Sequence, residues 1–129
     1  GSGGTGAMES HWKAWTEART ADKARKVAGW ALEAFARGGG RAALVGTERD
    51  DETDGHVLGF VVHVEAPSWS ENVVNLLALA QGLGAGWNLS GSIRDELRID
   101  TTRVSVPGVQ LLLCVATRGA DARADAVDA

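Results

Sequence analysis

Residues 68–93 read SWSENVVNLLALAQGLGAGWNLSGSI, and the fold follows from how this stretch is parsed. Pro67 disfavours helix for the residue before it. Ser68 is a good N-cap, its hydroxyl placed to accept a backbone N–H that a first helical turn leaves without a partner. Glu71 follows three residues later and completes a Ser-x-x-Glu capping box. Trp69, Val73, Leu76, Leu77, Ala80 and Leu83 recur at three- and four-residue spacing, which is one apolar helix face. Gly82, Gly84 and Gly86 then stop the helix, because glycine accepts the left-handed conformation of a C-terminal cap. Beyond them Trp87, Leu89, Gly91 and Ile93 alternate with Asn88, Ser90 and Ser92, the period of a strand. The glycines lie after a helix rather than between a strand and a helix, and no phosphate-loop lysine follows, so they read as a helix stop.

The flanking segments look built to pack on this unit. Upstream, residues 10–37 read as a helix ended by Gly38, Gly39 and Gly40, with Trp12 and Trp15 on one face and Val27, Trp30, Ala31, Ala34 and Phe35 forming a second stripe. A helix this long overruns a small sheet, and residues 19–24 hold no large apolar side chain. A break near Thr20, with Thr20 capping the second piece, is therefore expected. RAALVGTE at 41–48 and HVLGFVVHVEA at 56–66 read as strands. In the second, Leu58, Phe60, Val62, Val64 and Ala66 share one face, and Val57, Gly59, Val61, His63 and Glu65 share the other. Asp54-Gly55 marks the hairpin between them. The loop Asp50-x-Glu52-x-Asp54-Gly55 resembles the start of a calcium loop, but Val61 stands where the bidentate Glu belongs. Downstream, residues 97–106 read as a strand interrupted near Asp100. Pro107-Gly108 then has the signature of a type II turn, and residues 109–117 form a strand apolar on both faces.

The order helix, strand, strand, helix, strand, strand implies an α+β two-layer sandwich, with an antiparallel sheet of four to five strands and both main helices on one face. In element order it resembles a circularly permuted ferredoxin-like fold, a likeness of topology alone. Residues 1–7 read as an expression-tag remnant, residues 8–118 as one domain, and residues 119–129 as a flexible tail with nothing to bury.

A chain of 129 residues with net charge −4 holds one core and does not suggest general affinity for nucleic acid. There is no run of membrane-spanning length and no cationic, apolar leader, so no membrane contact and a cytoplasmic location are expected. The one cysteine, Cys114, cannot form an internal disulfide. It sits in VQLLLCVA, where a buried small hydrophobe is expected. His63 and Glu65 share a strand face and form the alternative site, for a small enzyme or ligand-binding domain. His56 points to the other face, and no third ligand is evident. No nucleophile elbow or zinc helix is present, so no catalytic residue, cofactor or metal is assigned.

The five tryptophans are the least ordinary feature. Trp12 and Trp15, placed beyond the main helical stripe, are expected to bind a partner, because indole joins large apolar area to one donor. The leading expectation is thus a non-enzymatic protein–protein interaction protein of inhibitor, immunity or chaperone character. The helix-free sheet face supplies a homodimer interface through Val57, Val61, Leu111 and Leu113.

Overall fold

A computed structural model describes residues 8–64, 66, 68–92 and 96–118. Residues 1–7, expected to be a tag remnant, Glu65, and residues 119–129, expected to be a tail, lie outside them. Strands β1 (Met8–Thr16), β2 (Arg41–Arg49), β3 (His56–Val64), β5 (Asn88–Ser92), β6 (Glu96–Thr101) and β8 (Val109–Arg118) form one antiparallel sheet in the order β2-β3-β1-β8-β6-β5. Helices α1 (Ala21–Arg37) and α2 (Trp69–Leu83) cover one of its faces, and β4 (Gly84–Ala85) pairs with β7 (Arg103–Val104) beside it. The class is α+β, as expected. The sheet has six strands rather than four or five, and the element order departs from the permuted ferredoxin-like pattern because a strand precedes α1.

The added strand is the main correction. Residues 8–16 form no helix; they lie in the middle of the sheet between β3 and β8. Met8, Ser10, Trp12, Ala14 and Thr16 are buried under the helices, while Glu9, His11, Lys13 and Trp15 face the other way. Three-residue spacing puts two side chains together on a helix but on opposite faces of a strand. Trp12 and Trp15 are therefore separated by the sheet. The predicted break at Thr20 is real, but it divides strand from helix. Thr20 Oγ1 accepts from the Lys23 N–H at 3.2 Å and caps α1.

Helix α2 begins as its letters dictate, with the Glu71 N–H donating to Ser68 Oγ at 3.2 Å. Its end differs from a left-handed cap. Gly84 is extended, and the chain enters β4 at once, where the Ser105 N–H donates to the Leu83 carbonyl at 2.8 Å. A Cβ at Gly84 would stand 2.7 Å from the Arg103 carbonyl oxygen, so glycine is required by close approach of β7. The two remaining turns form as read. Asp54 takes φ 59° ahead of Gly55 in the β2–β3 hairpin. Gly108 takes φ 85° while the Val109 N–H bonds the Val106 carbonyl at 3.2 Å. The interruption after β6 falls at Thr102 rather than near Asp100.

The core sits between the helices and the buried face of β1, β3, β6 and β8, with Trp12 at its centre. The Trp12 ring meets Phe35 of α1 edge-on at 5.2 Å and Trp87 at 6.1 Å, and Phe35 lies 5.5 Å from Phe60. Its indole N–H donates to Ser10 Oγ at 2.9 Å, and that hydroxyl donates to the Val62 carbonyl at 2.8 Å. No helix among the described residues is long and apolar enough to cross a membrane. Trp12→Ala removes a fully buried ring and its aromatic contacts, and is expected to cost about 3–5 kcal/mol in denaturant unfolding. Trp15→Ala, at a half-buried position, is expected to cost under about half of that in the same measurement.

Candidate functional site

The helix-free face of the sheet presents one broad surface, and its rows follow from the strand register. Glu48, Val57, Trp15 and Leu111 lie side by side across β2, β3, β1 and β8. The next row runs Gly46, Gly59, Lys13, Leu113, Asp100 and Asn88. The one after it runs Ala43, Val61, His11, Val115, Arg98 and Ser90. Val57, Val61, Trp15, Leu111, Leu113 and Val115 are all half-buried in the single chain. Apolar side chains thus fill the β3 and β8 columns, Lys13 and His11 stand between them, and the rim towards β6 and β5 is polar. The expected set Val57, Val61, Leu111 and Leu113 is brought together here, and Trp15 joins it.

Trp12 does not. It is sealed in the core, and the reading that placed both indoles on one helix face beyond the core fails with the helix itself. Trp15, Lys13, His11 and Glu9 were missed as members of this face. The signal was present, since Met8 to Glu17 alternates apolar or small residues with charged or aromatic ones at period two.

His63 is exposed on the same face, opposite Glu9 of β1 and Arg41 of β2. Its expected companion Glu65 lies outside the described residues. Glu9 Oε1 is 3.6 Å from His11 Nε2, so one carboxylate and two imidazoles gather at this end of the face. His56 points inwards and places Nδ1 2.6 Å from the Ala18 carbonyl, which can only accept, so Nδ1 carries the proton. No group of three or more metal-ligating side chains assembles among the described residues. In the acidic hairpin, Asp50 accepts from the Glu52 N–H at 3.1 Å and from Thr53 Oγ1 at 2.9 Å, while Asp54 pairs with Arg49 at 3.1 Å. These carboxylates hold their own turn.

Two larger recesses lie elsewhere. One, of about 490 Å³, is a mainly apolar groove between the end of α2 and β5, lined by Leu77, Ala80, Trp87 and Leu89. The other, of about 440 Å³, is polar and lined by Thr16, Glu17, Arg19, Thr53 and Gln110, with Gln110 Nε2 donating to Glu17 Oε1 at 2.9 Å.

Two buried groups stand apart from these surfaces. Burial removes Cys114 from water and pushes its thiol well above the usual range, which keeps it protonated and unreactive. Asn72 on α2 is fully buried, and among the described residues neither its Oδ1 nor its Nδ2 has a hydrogen-bond partner. A comparison of the chain with known protein families, with curated proteins and with solved structures found no match.

Both groups give measurable consequences. The folded thiol stays protonated where an unfolded one ionises, so its contribution to stability is whole below the ordinary thiol pKa and is lost as pH rises above it. The loss approaches about 1.4 kcal/mol per pH unit. Denaturant unfolding between pH 8 and 10.5 is expected to show this fall in the native chain and a shallower one in Cys114→Ala. Asn72→Leu exchanges an orphaned amide for an apolar side chain of similar volume, and is expected to raise unfolding stability by about 1–2 kcal/mol.

Proposed function

We propose that this protein is a non-enzymatic protein-interaction module of the inhibitor, immunity or chaperone kind, working as a homodimer through the helix-free sheet face. The supporting observation is the apolar patch formed by Val57, Val61, Trp15, Leu111, Leu113 and Val115 on a face that no element of the same chain covers among the described residues. Contiguous apolar surface of more than a few hundred Å² marks an interface in most soluble proteins. The half-buried indole of Trp15, between Val57 and Leu111 in the first row, is the kind of side chain that carries binding energy. A two-fold contact covers the patch with its own copy, and a stable interface of this sort removes about 800 Å² from each partner.

A second reading takes the other end of the face as a ligand site. It is supported by His63, Glu9 and His11 lying together, with Glu65 as a further candidate. A charge on the apolar patch separates the two. Val61→Glu is expected to lower the mass of the sedimenting species while the far-ultraviolet circular dichroism stays native. An unchanged mass, or a native chain that sediments as a monomer at high concentration, sinks the face-to-face dimer.

A further inference from the structure

The outer edge of the sheet is self-complementary, and we propose that two copies of this chain pair antiparallel along β2, continuing one sheet into the other. This contact uses a different surface from the helix-free face and stands whether or not that face is an interface.

Strand β2 ends the sheet and has no neighbour on its outer side among the described residues. It is nine residues long and exposed almost throughout. Leu44 and Val45, adjacent in sequence, are 40% and 63% exposed. Residues 42–47, AALVGT, carry no charge and no proline. Sheets that must not pair at an edge keep it short, charged or irregular. The opposite edge does so: β5 has five residues, mostly small and polar, and Gly91 within it sits at φ 86°.

The decisive feature is the irregularity in β2. Leu44 pairs with Phe60 and Gly46 with Gly59, so Val45 is an extra residue. In a regular strand Arg41 and Glu48, seven residues apart, point to opposite faces. The extra residue corrects the phase. Arg41 and Ala43 stand opposite His63 and Val61, and Gly46 and Glu48 stand opposite Gly59 and Val57, so all four lie on the helix-free face. Ala42, Leu44 and Thr47 lie on the other. A two-fold axis between Leu44 and Val45 then sets Arg41 against Glu48 of the second copy, Ala42 against Thr47, and Ala43 against Gly46. These three pairs are matched in face, while Leu44 and Val45 at the axis, on opposite faces, are not; the two charged pairs are of opposite sign. Residues matched in face on one strand also send their main-chain N–H and C=O groups the same way, so the ladder forms on either side of the axis and is interrupted at the bulge. Moving the axis onto Val45 brings Arg41 opposite Arg49, on different faces and with like charge. A bulge usually protects an edge; here it lets residues on its two sides match in face, and the register about Leu44 and Val45 is the one that pairs Arg41 with Glu48.

The test is a charge swap read by sedimentation in the Val61→Glu background, which removes the face contact. The native chain, carrying both contacts, is expected to sediment above the mass of a dimer at high concentration, and the Val61→Glu chain to fall to the edge-paired dimer. Adding Glu48→Arg or Arg41→Glu singly is expected to weaken that dimer about tenfold or more, because two like-charged pairs then face each other. Adding both is expected to restore it, as is mixing the two single-charge variants, which are complementary only to one another. A monomeric Val61→Glu chain, single variants that dimerise unchanged, or a double variant that stays monomeric each overturns the proposal. Should Val61→Glu fail to fold, the same series in the otherwise native chain reads the same loss and recovery of mass. Failure there with a persisting dimer leaves the face contact intact and discards the edge alone.

Discussion

The burial of one indole holds the two halves of this molecule in register. Trp12 lies on the central strand, and its ring is met edge-on by Phe35 from α1 and by Trp87 from the segment that follows α2. Edge-to-face contacts of this kind add to the area that the rings bury. A buried indole needs an acceptor, and Ser10 supplies one from the same strand face while its own hydroxyl donates a hydrogen bond to the Val62 carbonyl. One side chain therefore fixes both helical units against the strand between them and ties that strand to its neighbour. The depth of this cluster explains why the helices can cover only one face: everything large that they reach for is on their side of the sheet.

What was legible in the letters was local. The Ser68 cap, the Asp54-Gly55 hairpin and the Pro107-Gly108 turn formed as read, because each is decided within a few residues. The faces of β3 were legible too, since Leu58, Phe60 and Val62 against Val57, Gly59 and Val61 leave one choice of inside. Strand β1 was misread for a definite reason. Trp12 and Trp15 stand three apart, which imitates a helix face, and the polar gap at 19–24 invites a kink when it is in fact the end of one element and the start of another. Propensity does not settle residues 8–16; pairing with β3 and β8 does, and both partners are remote in sequence.

The same limit governs the site. Val57 and Val61 could be placed on the free face from their own strand alone. Leu111 and Leu113 belong to a strand apolar on both faces, and it is the register of β8 with β1, which puts Leu111 opposite Trp15, that fixes them on this side. Trp15, Lys13 and His11 joined the face only when β1 was recognised as a strand. Asn72 illustrates the converse, since nothing in its helical position announces that its amide is sealed without a partner. The apolar character of the face was therefore readable, while its membership and its charge rows were set by long-range pairing.

Strand β1 is the first strand of the described chain and β8 the last, yet they lie side by side at the centre of the sheet, Met8 opposite Arg118. A ribosome delivers these two strands at opposite ends of the synthesis of this domain. Until β8 emerges, the half made of β1, β2 and β3 has an open inner edge where β8 belongs, with the buried side of Trp12 only partly roofed. Closing a loop of that length carries an entropy cost before any contact across it forms, so folding of this sheet is governed by non-local pairing and is slow for its size. An early-made central strand also carries a period of exposure during which its edge is open to other chains. The topology thus makes completion of the sheet a late, single event.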